Sequence, residues 1–171
     1  MTATPASYLR HHPAFQGISD EALERLITTS KSLTFETGQP ICHQKLIPNQ
    51  IIIIQEGDAR LLIQEDNKLR TLKKLSKNDL IGLASILQVA GCEEVAASSR
   101  VKGIAITDVE VVRLIQEEPK FIEWCSAQPW EAEFYSILNI LQKDIANENS
   151  KLLNRFKNTY ECAKLLKTEI Q

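Results

Sequence analysis

The sequence predicts an α+β protein that is mainly β, a compact sandwich or small barrel with a helix before it and helices after it. Three observations carry that prediction. Between about Leu33 and Ile106, short β-rich runs alternate with turn residues at a spacing of roughly 8 to 12, which suits a sandwich or barrel and not alternating βα units. On either side of this stretch, apolar residues recur at helical spacing. The composition, 43% apolar and 25% charged over 171 residues, is that of one globular domain with room for an appendage.

The elements follow in order. Ser19 is a good N-cap, and Asp20 and Glu21 suit the positive end of a helix dipole. Ala22, Leu23, Leu26 and Ile27 then give the buried face of a helix, with Phe15 and Ile18 packing ahead of it as a short turn. Leu33 and Phe35 form a strand that turns at Glu36-Thr37-Gly38, and Ile41 starts another before Ile47-Pro48-Asn49. Ile51 to Gln55 is the strongest strand, closed by Glu56-Gly57-Asp58. Arg60 to Gln64 returns as its hairpin partner and turns at Glu65-Asp66-Asn67-Lys68. Leu69 to Leu75 alternates apolar and basic residues, which predicts one buried and one wet face. After Ser76-Lys77-Asn78-Asp79, Val95 to Ser99 and Ile104 to Ile106 supply the last strands.

Thr107 or Asp108 caps a helix through Val111, Val112 and Ile115, which Pro119 ends or redirects. Pro129 breaks the chain again. Beyond it Leu138, Leu141 and Ile145 share a face, and Leu152, Phe156, Ala163, Leu166 and Ile170 continue the stripe across a polar interruption at Asn147-Glu148-Asn149-Ser150. Trp124 and Trp130 flank Pro129, where they cover the β region or offer a docking surface.

Charge and residue usage exclude several functions. With 20 Lys plus Arg against 22 Asp plus Glu, the net charge is −2, without the basic excess of a nucleic-acid footprint. From residue 120 onward the two signs balance at 7 each, so the tail is not a basic recognition arm of a transcription regulator. No run of about 18 apolar residues is long enough to span a membrane. Met1 to Arg10 lacks the cationic start and apolar middle of a secretory signal, so a cytoplasmic location is expected. Cys42, Cys92, Cys125 and Cys162 lie at least 33 residues apart and read as buried thiols. His11, His12 and His43 have no metal-ligand spacing, so neither metal nor cofactor is expected. No nucleophile elbow or phosphate-binding Walker loop appears, and the chain is expected to be non-catalytic.

The order of helix, about eight short strands and helices resembles the cyclic nucleotide-binding domain of the bacterial catabolite-activator type, over residues 10–125. Phe35-x-x-Gly38-x-x-Ile41 is similar to that family's early turn and strand, and Ile51-Ile52-Ile53-Ile54-x-x-Gly57-x-Ala59 to its strand-turn-strand. Asp79-Leu80-Ile81-Gly82-Leu83-Ala84-Ser85-Ile86-Leu87 is similar to the opening of its phosphate cassette. The resemblance implies a jelly roll, or double-stranded β-helix barrel, with a C-terminal helical extension over residues 126–171. More narrowly, Gly82-x-x-Ser85-Ile86-Leu87, then Gly91-Cys92-Glu93-x-Val95-x-Ala97-Ser98 and the helical tail, resemble the N-terminal regulatory segment of cyanobacterial peptidase-containing ABC exporters.

In the family's cassette, backbone N–H groups at the start of a short helix hold the cyclic phosphate. An acidic residue after the glycine takes the ribose hydroxyl, and an arginine on the next strand pairs the phosphate. The resemblance places the degenerate ligand site here at Gly82, Leu83, Ala84, Ser85, Glu94, Val95 and Ala96. Gly82 is kept, but the acidic position holds Leu83, and the arginine position falls at Glu94 with Glu93 beside it. Ser85 suits a helix cap or a remaining phosphate donor, Glu93 and Glu94 a solvated strand end or a new pocket. Losing one charge-assisted hydrogen bond costs about 1.5 to 3 kcal/mol. A carboxylate facing a phosphate adds repulsion of order several kcal/mol at an effective dielectric of about 20. Loss of ordinary cAMP and cGMP binding is therefore expected.

The resemblance implies a regulatory domain that signals by moving Val109 to Glu117 and the tail. Its partners would be attached or associated transporter modules on the cytoplasmic side of the membrane, with a homodimer through the C-terminal helices a further possibility. The competing expectation is a structural dimerisation or docking module without a small ligand.

Overall fold

The computed structural model describes residues 5–65 and 68–145, and its contacts divide the chain into two units, Met1–Pro129 and Trp130–Gln171. In the first, α1 (Pro5–His11) and a 3-10 turn (Pro13–Phe15) precede α2 (Asp20–Thr29). Eight strands follow: β1 (Lys31–Phe35), β2 (Pro40–Cys42), β3 (Gln50–Glu56), β4 (Ala59–Glu65), β5 (Lys68–Leu75), β6 (Leu80–Ile81), β7 (Glu94–Ala97) and β8 (Val101–Thr107). Helix α3 (Leu83–Leu87) is inserted between β6 and β7, and α4 (Asp108–Glu117) and α5 (Pro119–Ala127) close the unit.

The chain crosses repeatedly between two antiparallel sheets, β1-β8-β3-β6 and β2-β7-β4-β5, giving the mainly β jelly roll with helices that the sequence predicts. Strand β3 explains itself residue by residue. Ile51, Ile52, Ile53 and Ile54 are all buried, so both faces of the strand are covered. It lies between β8 and β6, and α4 packs on β3 and β8 while α2 reaches β8. Each buried isoleucine contributes about 1.5 to 3 kcal/mol of apolar transfer. The turn after β3 needs glycine twice over: Gly57 has φ +86°, and a Cβ there would stand 2.1 Å from the Arg100 carbonyl oxygen.

The caps form as their residue types suggest. Ser19 accepts a hydrogen bond from the Ala22 amide at the start of α2, and Thr107 accepts from Glu110 at the start of α4. Pro119 both follows α4 and opens α5 as its first residue, where its missing N–H is no loss. Buried Glu118 reaches back across the unit to accept from the Ser19 amide (3.0 Å) and hydroxyl. Arg25 on α2 bridges Glu110 (2.8 Å) and Glu117 (2.9 Å) on α4, tying the leading helix to the trailing one.

Two local readings are corrected and one element is added. Strands β3 and β4 follow each other but do not pair: β3 lies between β8 and β6 in one sheet and β4 between β7 and β5 in the other, so Arg60 to Gln64 is not the hairpin partner of Ile51 to Gln55. A helix, α1, precedes the turn at Phe15, held by the buried Leu9 and by the Tyr8 hydroxyl, which donates to the Ile54 carbonyl (2.8 Å). Strand β5 does not have one face buried along its length. It is the edge of its sheet and its first four residues are exposed, Leu69 by 62%, with Leu75 buried only at the far end. Lys68, Arg70, Lys73 and Lys74 line this edge, which discourages pairing with a further strand.

In the second unit, α6 (Glu131–Ile145) starts after the expected break at Pro129, with Glu131 and Glu133 in its first turn. The side chains of Leu141 and Ile145, the apolar positions Leu152, Phe156, Ala163, Leu166 and Ile170, the Asn147 to Ser150 interruption, Cys162 and the Asp66-Asn67 turn lie outside the described residues. Among the described residues no helix is long and apolar enough to cross a membrane, and no group of three or more His, Cys, Asp or Glu is placed to hold a metal ion.

Candidate functional site

Strand β6 pairs with β3 through Ile52↔Ile81 and Ile53↔Leu80 and delivers the chain to Gly82. Gly82 has φ +91°, a left-handed turn that starts α3 with no side-chain cap. The first amides of so short a helix have no partner within it. Here they meet a side chain from eight to eleven residues later. The Glu93 carboxyl accepts from the Gly82 amide (2.9 Å) on one oxygen, and from the Ser85 amide (3.0 Å) and hydroxyl (3.0 Å) on the other. The Ser85 hydroxyl in turn accepts from the Cys92 amide (3.2 Å) and the Glu93 amide (3.3 Å). Ser85 is wholly buried and Glu93 is 5% exposed. The two ends of the 82–93 segment are thus closed on each other by one carboxyl and one hydroxyl.

Among the described residues no lysine or arginine pairs with Glu93; the groups acting on it are backbone N–H groups and a hydroxyl. Burial raises its pKa above the ordinary 4.5, and the hydrogen bonds from Gly82, Ser85 and Ala84 oppose that rise without cancelling it. The neighbouring Cys42 thiol is pushed up to about 12, first by burial and then by the negative charge of Glu93. Among the described residues Cys42, Cys92 and Cys125 are buried, as the sequence suggests. Thiolate formation is disfavoured at Cys42 and also at Cys125, which burial raises to about 11.

The expected site residues divide into two groups. Gly82, Leu83, Ala84 and Ser85 come together at the start of α3. Leu83 is fully buried, so an apolar side chain packs where the resemblance puts a ribose-binding acid. Glu94, Val95 and Ala96 belong to β7 and do not close on that turn. The Glu94 carboxylate accepts from the Gln44 amide (3.0 Å) and lies 3.4 Å from His43 Nδ1. Val95 is buried opposite Leu61 and Cys42, and Ala96 sits opposite Arg60 and Pro40. Arg100 pairs with Glu36 (3.3 Å) at the surface. Ser85 is the third residue of α3, so it is not the helix cap, and Glu93 is not a solvated strand end. The alternation of β7 contains the missed signal: Glu93, Val95 and Ala97 share the buried face, while Glu94 and Ala96 share the other.

A jelly roll with a short helix inserted between two of its strands, its leading amides turned toward an anionic group, defines the class of phosphate-cassette β-rolls. The description Cyclic nucleotide-binding domain matches residues 32–120, just over half of the 171, and the chain belongs to that family. No curated protein matches it. Among solved structures it is similar to the regulatory subunit of a cAMP-independent protein kinase A from Trypanosoma cruzi bound to guanosine, at 19% identity and a TM-score of 0.68, covering 82% of this chain and 49% of that one. It is also similar to the Thermus thermophilus catabolite activator protein (19% identity, TM-score 0.58, 78% of this chain and 61% of that one). A cyclic nucleotide-binding-like protein from Brucella abortus matches at 17% identity and a TM-score of 0.55, over 66% of this chain and 97% of that one. The chain spans about half the length of the kinase subunit.

Proposed function

We propose that this chain is a regulatory domain that operates without a cyclic nucleotide, its cassette amides being held by its own Glu93. The observation that carries this reading is the Glu93 carboxyl on the Gly82 and Ser85 amides, the groups that an anionic ligand of this fold would need. A tethered group acts at an effective concentration of order millimolar or more, so a free nucleotide would have to displace it. It would also have to do so without an arginine partner and with the buried Leu83 where an acid would take the ribose. Titration of the full chain with cAMP and cGMP by calorimetry is expected to give no binding heat up to about millimolar ligand. Micromolar binding of either overturns the reading.

The wider setting rests on sequence resemblance. The domain is the N-terminal regulatory part of a peptidase-containing ABC exporter, placed on the cytoplasmic side and acting on the attached transporter modules through α4 and the helices beyond Pro129. Arg25 supports that route, because its bonds to Glu110 and Glu117 couple α4 to α2. Reading the coding frame beyond Gln171 tests this part separately. A peptidase domain followed by membrane-spanning helices is expected, and an immediate stop codon overturns it.

A further inference from the structure

We propose that His12 is a proton-operated latch that fastens the N-terminal helical segment to the turn leading into the cassette. The imidazole is 2% exposed and sits between α1 and the 3-10 turn. Its Nδ1 accepts from the Ala14 amide (3.2 Å), and its Nε2 lies 3.0 Å from the Asn78 carbonyl oxygen. A backbone amide can only donate and a carbonyl can only accept. The pair therefore fits one form of the ring, neutral with its proton on Nε2. Adding a proton places an N–H at Nδ1 against the N–H of Ala14, which removes the cap of the 3-10 turn.

The Asn78 end of the latch has its own constraints. Asn78 is left-handed at φ +73°, its amide donates to Ile54 O (2.9 Å), and the Ile54 amide donates to Asp79 O (3.0 Å). The Tyr8 hydroxyl reaches the same Ile54 carbonyl and the Asn78 side chain. Only three residues separate Asn78 from Gly82, so this turn fixes where β6 enters the cassette. Tyr8 from α1, Phe15 from the 3-10 turn and Trp124 from α5 surround the ring, at centroid distances of 6.3, 5.4 and 6.5 Å. Of the titratable groups facing it, Tyr8 is neutral in this range and Asp79 is the charged one. Asp79 and the Asn78 carbonyl favour the protonated ring, but burial outweighs both and holds the pKa below the ordinary 6.5. The released state therefore takes up its proton first as pH falls below about 6.5, and the latch loses stability from there down to the pKa of the docked ring.

Hydrogen exchange on the full chain, corrected for intrinsic rates, tests this between about pH 7.5 and about pH 5.5. Protection at residues 8–15 and 78–81 is expected to fall, by at most about tenfold, on acidification in the wild type. It should stay level in H12N, whose short amide can still accept from Ala14 without titrating. Variants H11N and H43N should keep the wild-type response. A wild type without the drop, or an equal drop in H12N, overturns the proposal. If H12N does not fold, a wild-type NMR titration decides. His12 should titrate below the ordinary 6.5, together with the amides of 78–81, whereas a His12 titrating at or above 6.5 without those amides overturns the latch.

Discussion

A buried carboxyl without a cation beside it depends entirely on what its two oxygens meet. At Glu93 both oxygens meet donors from the start of α3, and removing them leaves the Gly82 and Ser85 amides buried without acceptors. Glu93→Ala is expected to lower unfolding stability by at least about 1 to 3 kcal/mol, read from urea denaturation. An unchanged midpoint would show that water satisfies those amides equally well. The pH dependence has a defined sign. Because the folded pKa is raised above 4.5, the contribution of Glu93 is full below 4.5 and declines as pH rises through the folded value. In Glu93→Ala that decline should vanish, which paired unfolding curves across the acid range would reveal. The glycine turn and the serine at the start of α3 were legible from spacing and residue type. The carboxyl that closes the site was obscured because Glu93 and Glu94 are chemically alike. Strand parity separates them: Glu93 is in phase with buried Val95 and Ala97, and Glu94 is turned to Gln44 and His43.

At the level of elements, the turn between β3 and β4 is the least forgiving point. Gly57→Ala would force a side chain into a left-handed backbone and a Cβ to within 2.1 Å of the Arg100 carbonyl. The left-handed conformation alone costs about 1 to 2 kcal/mol, and the clash must also displace the β7–β8 turn. A fall in thermal midpoint well beyond that of an exposed-glycine control such as Gly38→Ala is expected, because Gly38 has a similar φ of +83° but open space around it. Equal falls would assign the whole effect to φ. Capped helices were readable from sequence because Ser19 and Thr107 act on amides three residues away. The bounds and docking of α1 were not, since what holds it is distant in sequence: Tyr8 bonds to Ile54, 46 residues on. Strand β5 misled for a related reason. Its alternation is that of a half-buried strand, but burial depends on sheet order, and an edge position leaves Leu69 exposed.

For the whole molecule, the division after Pro129 makes a separate prediction. The first unit contains both sheets and an apolar core running from Leu9 through Ile51 to Ile54 to Phe121. A fragment of residues 1–129 is expected to unfold in one cooperative thermal transition, whereas a broad melt by calorimetry would mean that the first unit needs the second. The jelly roll itself was foreseeable, because turn spacing and the run of isoleucines constrain the strands locally. The long-range ties from Ser19 to Glu118 and from Arg25 to Glu110 and Glu117 were not, since nothing in local periodicity pairs positions so far apart.

The acid that fills the cassette is part of the polypeptide, so dilution, dialysis or a phosphodiesterase cannot empty it. Under the function proposed above, preparations from any host should arrive in the same state, and second-messenger levels in the cell would pass the domain unnoticed. A domain of that proposed kind would be regulated by bending the protein or by changing its protons.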